Sequence, residues 1–264
     1  MELMNYELPD ELAPYAAALA DTRRAFIEII PVGEATTPWG SRFGGHPYLP
    51  AGTPYPTTPG GHPLFFLAQI NFEEVPPLTP YPSKGLLQFY IGDDDLYGMD
   101  PEEGGTQHTF KVIYFPDVIK SETALESDFD FLPAFENTPI YPDQYYGMSF
   151  ELTDEIAPAE DAAFEKAMGK NFFDQFEDEE QKWDIIQSYG HEVSAEGHKI
   201  GGYAHFAQED PREPDNPMLL LFQMDSDIEI ECNWGDMGTA HFFIAEEDLK
   251  KCDFSKVVYH WDCH

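Results

Sequence analysis

Two stretches of this chain, "SRFGGHPYLPAG" from Ser41 and "HKIGGYAHFAQ" from His198, read as one phrase written twice. A double glycine alone carries no weight, so the test is whether further matches follow in the same order. They do. "PLFFLAQIN" from Pro63 answers to "PMLLLFQMD" from Pro217, which sets Gln69 opposite Gln223. "LLQFYIGDDDL" answers to "AHFFIAEEDL", and "KVIYFPD" from Lys111 answers to "KVVYHWD" from Lys256. The offsets between partners are 157, 154, 153 and 145 residues, a drift that loop insertions produce. An internal duplication is therefore expected, with repeats at about 43–117 and 200–262 inside a single domain spanning residues 1–264.

Each repeat reads as short strands: apolar runs of strand length, rich in β-branched and aromatic residues, separated by Gly, Pro and Asp. The Pro-rich connections, "LPAGTPYPTTPGGHP" among them, must be turns, because proline donates nothing to a sheet ladder. Helical patterns lie outside the repeats. "PDELAPYAAALADTRRAF" predicts a first helix with Asp10 as its cap. From about 158 to 189, Phe164, Met168, Phe172, Phe176 and Trp183 form an apolar stripe at helical spacing, expected to be core. The predicted class is α+β, with two pseudo-equivalent strand-rich halves sharing a core. A seam between two such halves lined by equivalent loops would form a cleft suited to a small ligand.

Fifty acidic residues against 14 basic ones give a formal charge of −36. Such a surface repels nucleic acid and anionic lipid and attracts cations or basic proteins. No stretch approaches the roughly 20 apolar residues that span a bilayer. The acidic N-terminus lacks the basic start of an export signal, and three scattered cysteines suit a reducing compartment, so the expected location is cytoplasmic.

The chain contains no G-x-S-x-G elbow, Walker loop, dinucleotide fingerprint or His-Glu-x-x-His pair. What stands out is "MDSDIEIECNWGDMG". On a strand, Asp225, Asp227, Glu229 and Glu231 would share one face, with Trp234 and Asp236 beyond a turn. Three readings apply: a solvated acidic face, a surface for a basic partner, or a divalent cation held by Asp225, Asp227 and Asp236. Asp94 and Asp95 in "GDDDLYG" predict either a backbone-capping turn or a second contact point. Gln69 and Gln223, in apolar strands, need partners for their amides. They clamp a neighbouring loop or touch a ligand. No cofactor is expected.

The motifs "SRFGGHPYLPAG", "PLFFLAQINFEEVP", "GLLQFYIGDDDLYG", "LLLFQMDSD", "WGDMGTAHFFIAEEDL" and "DFSKVVYHWDCH" resemble the YwqG-like family of bacterial proteins, a domain of unknown function. The resemblance implies a cytoplasmic α+β fold of two related halves and transfers no catalytic residue. It also hints at an immunity or accessory role beside secreted toxins. The functional expectation is a non-catalytic protein whose acidic face binds a basic protein. The alternative is a carboxylate- or metal-dependent hydrolase, or a small-ligand or cation sensor, working at the seam.

Overall fold

A computed structural model of the chain describes residues 6–33, 37–100, 105–212 and 218–264. Among these described residues ten strands form one sheet. They are β1 (Arg24–Val32), β2 (Arg42–Gly44), β3 (Phe65–Asn71), β4 (Leu86–Ile91), β5 (Lys111–Phe115), β6 (Tyr145–Glu155), β7 (Lys199–Gly201), β8 (Leu219–Asp225), β9 (Thr239–Ile244) and β10 (Val258–Asp262). Their order is β10-β9-β8-β7-β1-β6-β2-β3-β4-β5, every pairing antiparallel. Two four-stranded arms thus flank a central ribbon, β1–β6.

The arms correspond register by register. Arg42 pairs with Gln69 and Lys199 with Gln223. The β3–β4 ladder is interrupted between Phe66 and Ala68, and the β8–β9 ladder between Leu220 and Phe222. The pairs Arg42↔Gly147, Phe43↔Tyr146 and Gly44↔Tyr145 are matched by Lys199↔Glu28, Ile200↔Ile27 and Gly201↔Phe26. Each arm therefore docks on the first strand belonging to the other half of the chain. Both glycine pairs sit at positive φ, +64° and +73° at Gly44 and Gly45, +76° and +72° at Gly201 and Gly202. A Cβ on Gly202 would lie 2.1 Å from Glu155 Oε1, so close packing as well as backbone conformation demands glycine.

The sequence predicts two strand-rich halves with a cleft at their seam. One continuous sheet forms instead, and the junction is the β1–β6 ladder running from Arg24↔Glu155 to Val32↔Gly147. Neither strand was foreseen, because each lies upstream of its repeat, where the arms no longer resemble each other in sequence. The last match also shifts. Gln88 faces Ile113, while His241, at the matching place, faces His260, so Tyr114 corresponds to Trp261 rather than Tyr259. A slip of two residues preserves which face a side chain takes, so periodicity cannot detect it.

The sheet curls until its arms touch. Phe89 of β4 packs 4.7 Å from both Phe222 and Phe242 of the opposite arm, and Phe43 joins them. Strands β3, β4 and β9 are buried along their whole length, which explains their unbroken apolar sequence. Trp261 Nε1 donates to Leu96 O and Gln107 Nε2 to Phe254 O, tying the two sheet edges together.

Helices close one end. Pro9, rather than Asp10, precedes a 3-10 turn at Asp10–Tyr15, followed by the short α1 (Ala16–Ala20). A proline at position 14 prevents one continuous helix. The run from about 158 to 189, expected as one long or two shorter helices, forms two, α2 (Ala162–Met168) and α3 (Glu179–Glu192), capped by Asp161 and Asp178 through Ala163 N and Gln181 N. Phe164 and Phe172 are buried and Met168 and Phe176 pack beside them. Trp183, 62% exposed, leaves the expected stripe. The last helix, α4 (Glu246–Lys250), follows β9. Residues 101–104 of the first repeat's insertion and 213–217 of the second connection, with Pro217, lie outside the described residues.

Candidate functional site

The two glutamines do the same job in the two arms. Gln69 is fully buried; its Nε2 donates to Pro38 O (2.9 Å) and Gly40 O (2.8 Å), and its Oε1 accepts from Tyr48 N (2.8 Å). Gln223, equally buried, donates to Ala195 O (2.8 Å) and Gly197 O (2.9 Å) and accepts from His205 N (2.9 Å). The glycine pair turns the chain back so that one amide grips both sides of the loop. Gln69 Oε1 accepts again from Gln88 Nε2, which also donates to Tyr48 O. These amides are spent on the loops, and no polar atom is left over for a ligand.

His241 stands where Gln88 does, its Nε2 donating to His205 O. Burial pushes its pKa well below the ordinary value, with His260 and Arg212 acting in the same direction. Burial also lowers His260, against the opposing pull of Asp262. A histidine held neutral by the fold contributes stability that is intact above its unfolded pKa of about 6.5 and is lost as pH falls below it. Relative to wild type, His241→Gln, built on the Gln88 pattern, should therefore gain up to about 1.4 kcal/mol for each pH unit descended below 6.5. Urea titrations of both proteins between pH 7.5 and 5 measure the difference, and a flat difference would refute it.

The acidic stretch is not a strand beyond Asp225. β8 stops there because the Asp225 carboxylate caps its own exit, accepting from Ser226 N (2.9 Å), Thr239 Oγ1 (2.7 Å) and Gly197 N (2.7 Å). Two tight turns follow. Asp227 and Cys232 exchange backbone hydrogen bonds of 2.9 Å, and Gly238 N donates to Trp234 O at 2.9 Å. Asp227 Oδ1 accepts from Glu229 N (2.7 Å), and Ser226 Oγ links the turns, accepting from Trp234 N and donating to Gly238 O. His198 uses both ring nitrogens here: Nδ1 accepts from Asp225 N (3.0 Å) and Nε2 faces Asp227 Oδ2 at 3.1 Å. That contact holds the Asp227 carboxyl below its usual range. With both nitrogens committed, this His–Asp pair is a brace and lacks the free lone pair a general base needs.

Burial alternates although the backbone turns. Ile230, Cys232 and Trp234 are buried, while Ile228, Glu229, Glu231, Asp236 and Met237 are exposed. Ile228 is 91% exposed and Met237 64%. Trp234, a predicted contact residue, lies wholly inside, edge-on to Tyr97 at 5.4 Å. Among the described residues no group of three His, Cys, Asp or Glu side chains gathers at metal-holding geometry, so Asp225, Asp227 and Asp236 do not converge.

Segment 126–144, between the matched stretches, carries none of the sequence motifs named above. Asn233 N of the double turn donates to Pro139 O (2.7 Å), and Gln144 Nε2 to Glu231 Oε2 (2.5 Å). Further back, Asn137 N and Glu136 N donate to Asp93 Oδ1 at 2.6 and 3.2 Å. Asp94 Oδ1 accepts from Leu96 N and Gly98 N, the capping turn expected of "GDDDLYG"; Asp95 is exposed beside it. Segment 126–144 and double turn 225–238 together contain no Lys or Arg. They expose Asp128, Asp130, Glu136, Asp143, Glu229, Glu231 and Asp236, and with them Phe131 (55%) and Tyr141 (59%). The signal available in sequence was this joint absence of basic residues, meaningful only once the segments are neighbours.

Fold and surface define an α+β protein built on one curled antiparallel sheet, with an acidic face studded by exposed apolar side chains. The chain belongs to the family described as a domain of unknown function (DUF1963), which matches residues 41–263. No curated protein matches it. Among the described residues no helix is long and apolar enough to cross a membrane.

Proposed function

We propose that this is a non-catalytic binding protein whose face built from residues 126–144 and 225–238 captures a basic protein carrying an apolar anchor. One observation carries the reading. A turn braced by Asp225, Asp227, His198 and Ser226 holds Ile228 almost fully in solvent between acidic neighbours. Exposing an isoleucine on a rigid turn wastes its burial energy, about 1.5–3 kcal/mol, unless something covers it. Carboxylates around it select cationic partners and speed encounter. On this reading the chain is a YwqG-like member of its family, and an immunity or accessory role is one in which such capture would serve.

The matched registers, glycine pairs and glutamine clamps support a further part of the proposal: both arms descend from one duplicated unit, first strand included.

The test uses a synthetic Lys- and Arg-rich amphipathic peptide, followed by fluorescence anisotropy. Binding should weaken at least tenfold from 50 to 300 mM salt. Ile228→Ala with Glu229→Gln and Glu231→Gln should weaken it at least tenfold more than Glu179→Gln with Glu180→Gln, which removes equal charge from α3. Equal effects would mean diffuse attraction, and the reading would fall.

A further inference from the structure

Segment 126–144 contributes Phe131, Pro133 and Phe135 to a cleft of about 490 Å³ whose lining also includes His62, Asp93 and Asp94. Its volume is within the range of ordinary ligand sites. The Phe131 ring stands 5.6 Å from Tyr55 and 6.2 Å from Phe129, and Phe135 packs edge-on against Phe65 at 5.3 Å, so the aromatic wall is fixed from behind. Lining the same cleft, Asp93 and Asp94 are held by backbone N–H groups, which orient the carboxylates without neutralising them. Another cleft of about the same volume, between the first 3-10 turn and α3, presents Glu11, Asp178, Glu180 and Asp184 but no aromatic side chain.

We infer that the aromatic cleft receives an arginine side chain of the basic partner. This deepens the proposed binding role and rests on it. A planar guanidinium is the cation that uses both kinds of lining: it stacks on Phe131 and Phe135 while donating its fork of N–H groups to carboxylates. Within the proposed face, the cleft and the double turn that carries Ile228 are joined through residues 137–139, Asn137 N donating to Asp93 and Pro139 O accepting from Asn233 N. A partner crossing that face would seat an arginine in the cleft and an apolar residue on Ile228.

The probe is the blocked tripeptide acetyl-Gly-Arg-Gly-amide, titrated by calorimetry and by amide NMR shifts, beside its citrulline twin, which keeps the shape and loses the charge. The arginine peptide should bind at least tenfold tighter, and the shifts should concentrate at Gly92–Asp94 and 131–135. Phe131→Ala, at a position 55% exposed, should remove most of the preference. Asp94→Asn keeps the capping oxygen and should weaken binding at least threefold. Ile228→Ala should leave tripeptide binding unchanged. Equal affinity for both peptides, or undiminished preference in Phe131→Ala, would overturn the inference. Tripeptide binding that survives while the amphipathic peptide shows no dependence on Ile228 would retain the arginine cleft and remove the double turn from the docking face. The reverse result would discard the cleft alone.

Discussion

Gln69→Leu and Gln223→Leu should each cost the protein about 3 kcal/mol or more, because each strands two carbonyls and one N–H, buried or partly buried, at about 1–3 kcal/mol apiece. The orphaned groups are Pro38 O, Gly40 O and Tyr48 N in one arm, and Ala195 O, Gly197 O and His205 N in the other. Leucine fills the space and offers no partner, so the loss is one of hydrogen bonding rather than volume. Since the geometry repeats to about 0.1 Å in the bonds compared, the two losses should agree within about 1 kcal/mol. Urea unfolding at pH 7.5 reads both. A loss under about 1 kcal/mol in either variant would mean that the loop does not depend on its clamp.

The second large effect concerns Lys199, which is buried with Nζ 2.9 Å from Glu155 Oε2, 3.3 Å from Tyr203 O and 4.6 Å from the Phe26 ring centre. Burial lowers the lysine's pKa and raises that of Glu155, each opposed by the other's charge. Lys199→Met leaves a buried carboxylate whose remaining donor is Tyr203 N, at a cost of about 3–5 kcal/mol. Adding Glu155→Gln removes the charge yet still accepts from Tyr203 N, so the double variant should regain at least half of the loss. The pH sign follows from Glu155. Without its lysine its folded pKa rises further above the unfolded value of about 4.3, so the penalty grows as pH climbs from 4.3 and is relieved below it. A Lys199→Met penalty identical at pH 4 and pH 7 would contradict a buried charge as its cause.

Much of the architecture was legible from residue order. Apolar runs marked β3, β4, β8 and β9, and the glutamines inside them announced a buried polar task that the loops now account for. Asp161 and Asp178 start their helices as short acceptors do. What escaped detection had a common cause. β1 and β6 both lie outside the matched stretches: β1 carries Pro31 and mixed charges, and the apolar–polar alternation of β6 over residues 148–153 has no counterpart in the other half to pair it with. The inward and outward alternation of the acidic stretch holds only from Glu229 to Trp234. Across 225–228 the backbone turns and puts Ile228 in solvent, because the Asp225 and Asp227 carboxylates bond the N–H groups just after them.

By itself the order of amino acids determined that apolar strands recur at matched offsets, that glycine pairs and glutamines recur with them, and that acidity dominates the surface. Those are local properties of composition and period. Only the tertiary structure decided that each half lends its first strand to the other, that Tyr114 matches Trp261, and that segment 126–144 meets the double turn. Strand pairing and surface adjacency are set by contacts between residues far apart in the chain. Their energy comes from closing the sheet around one core, which no local pattern records.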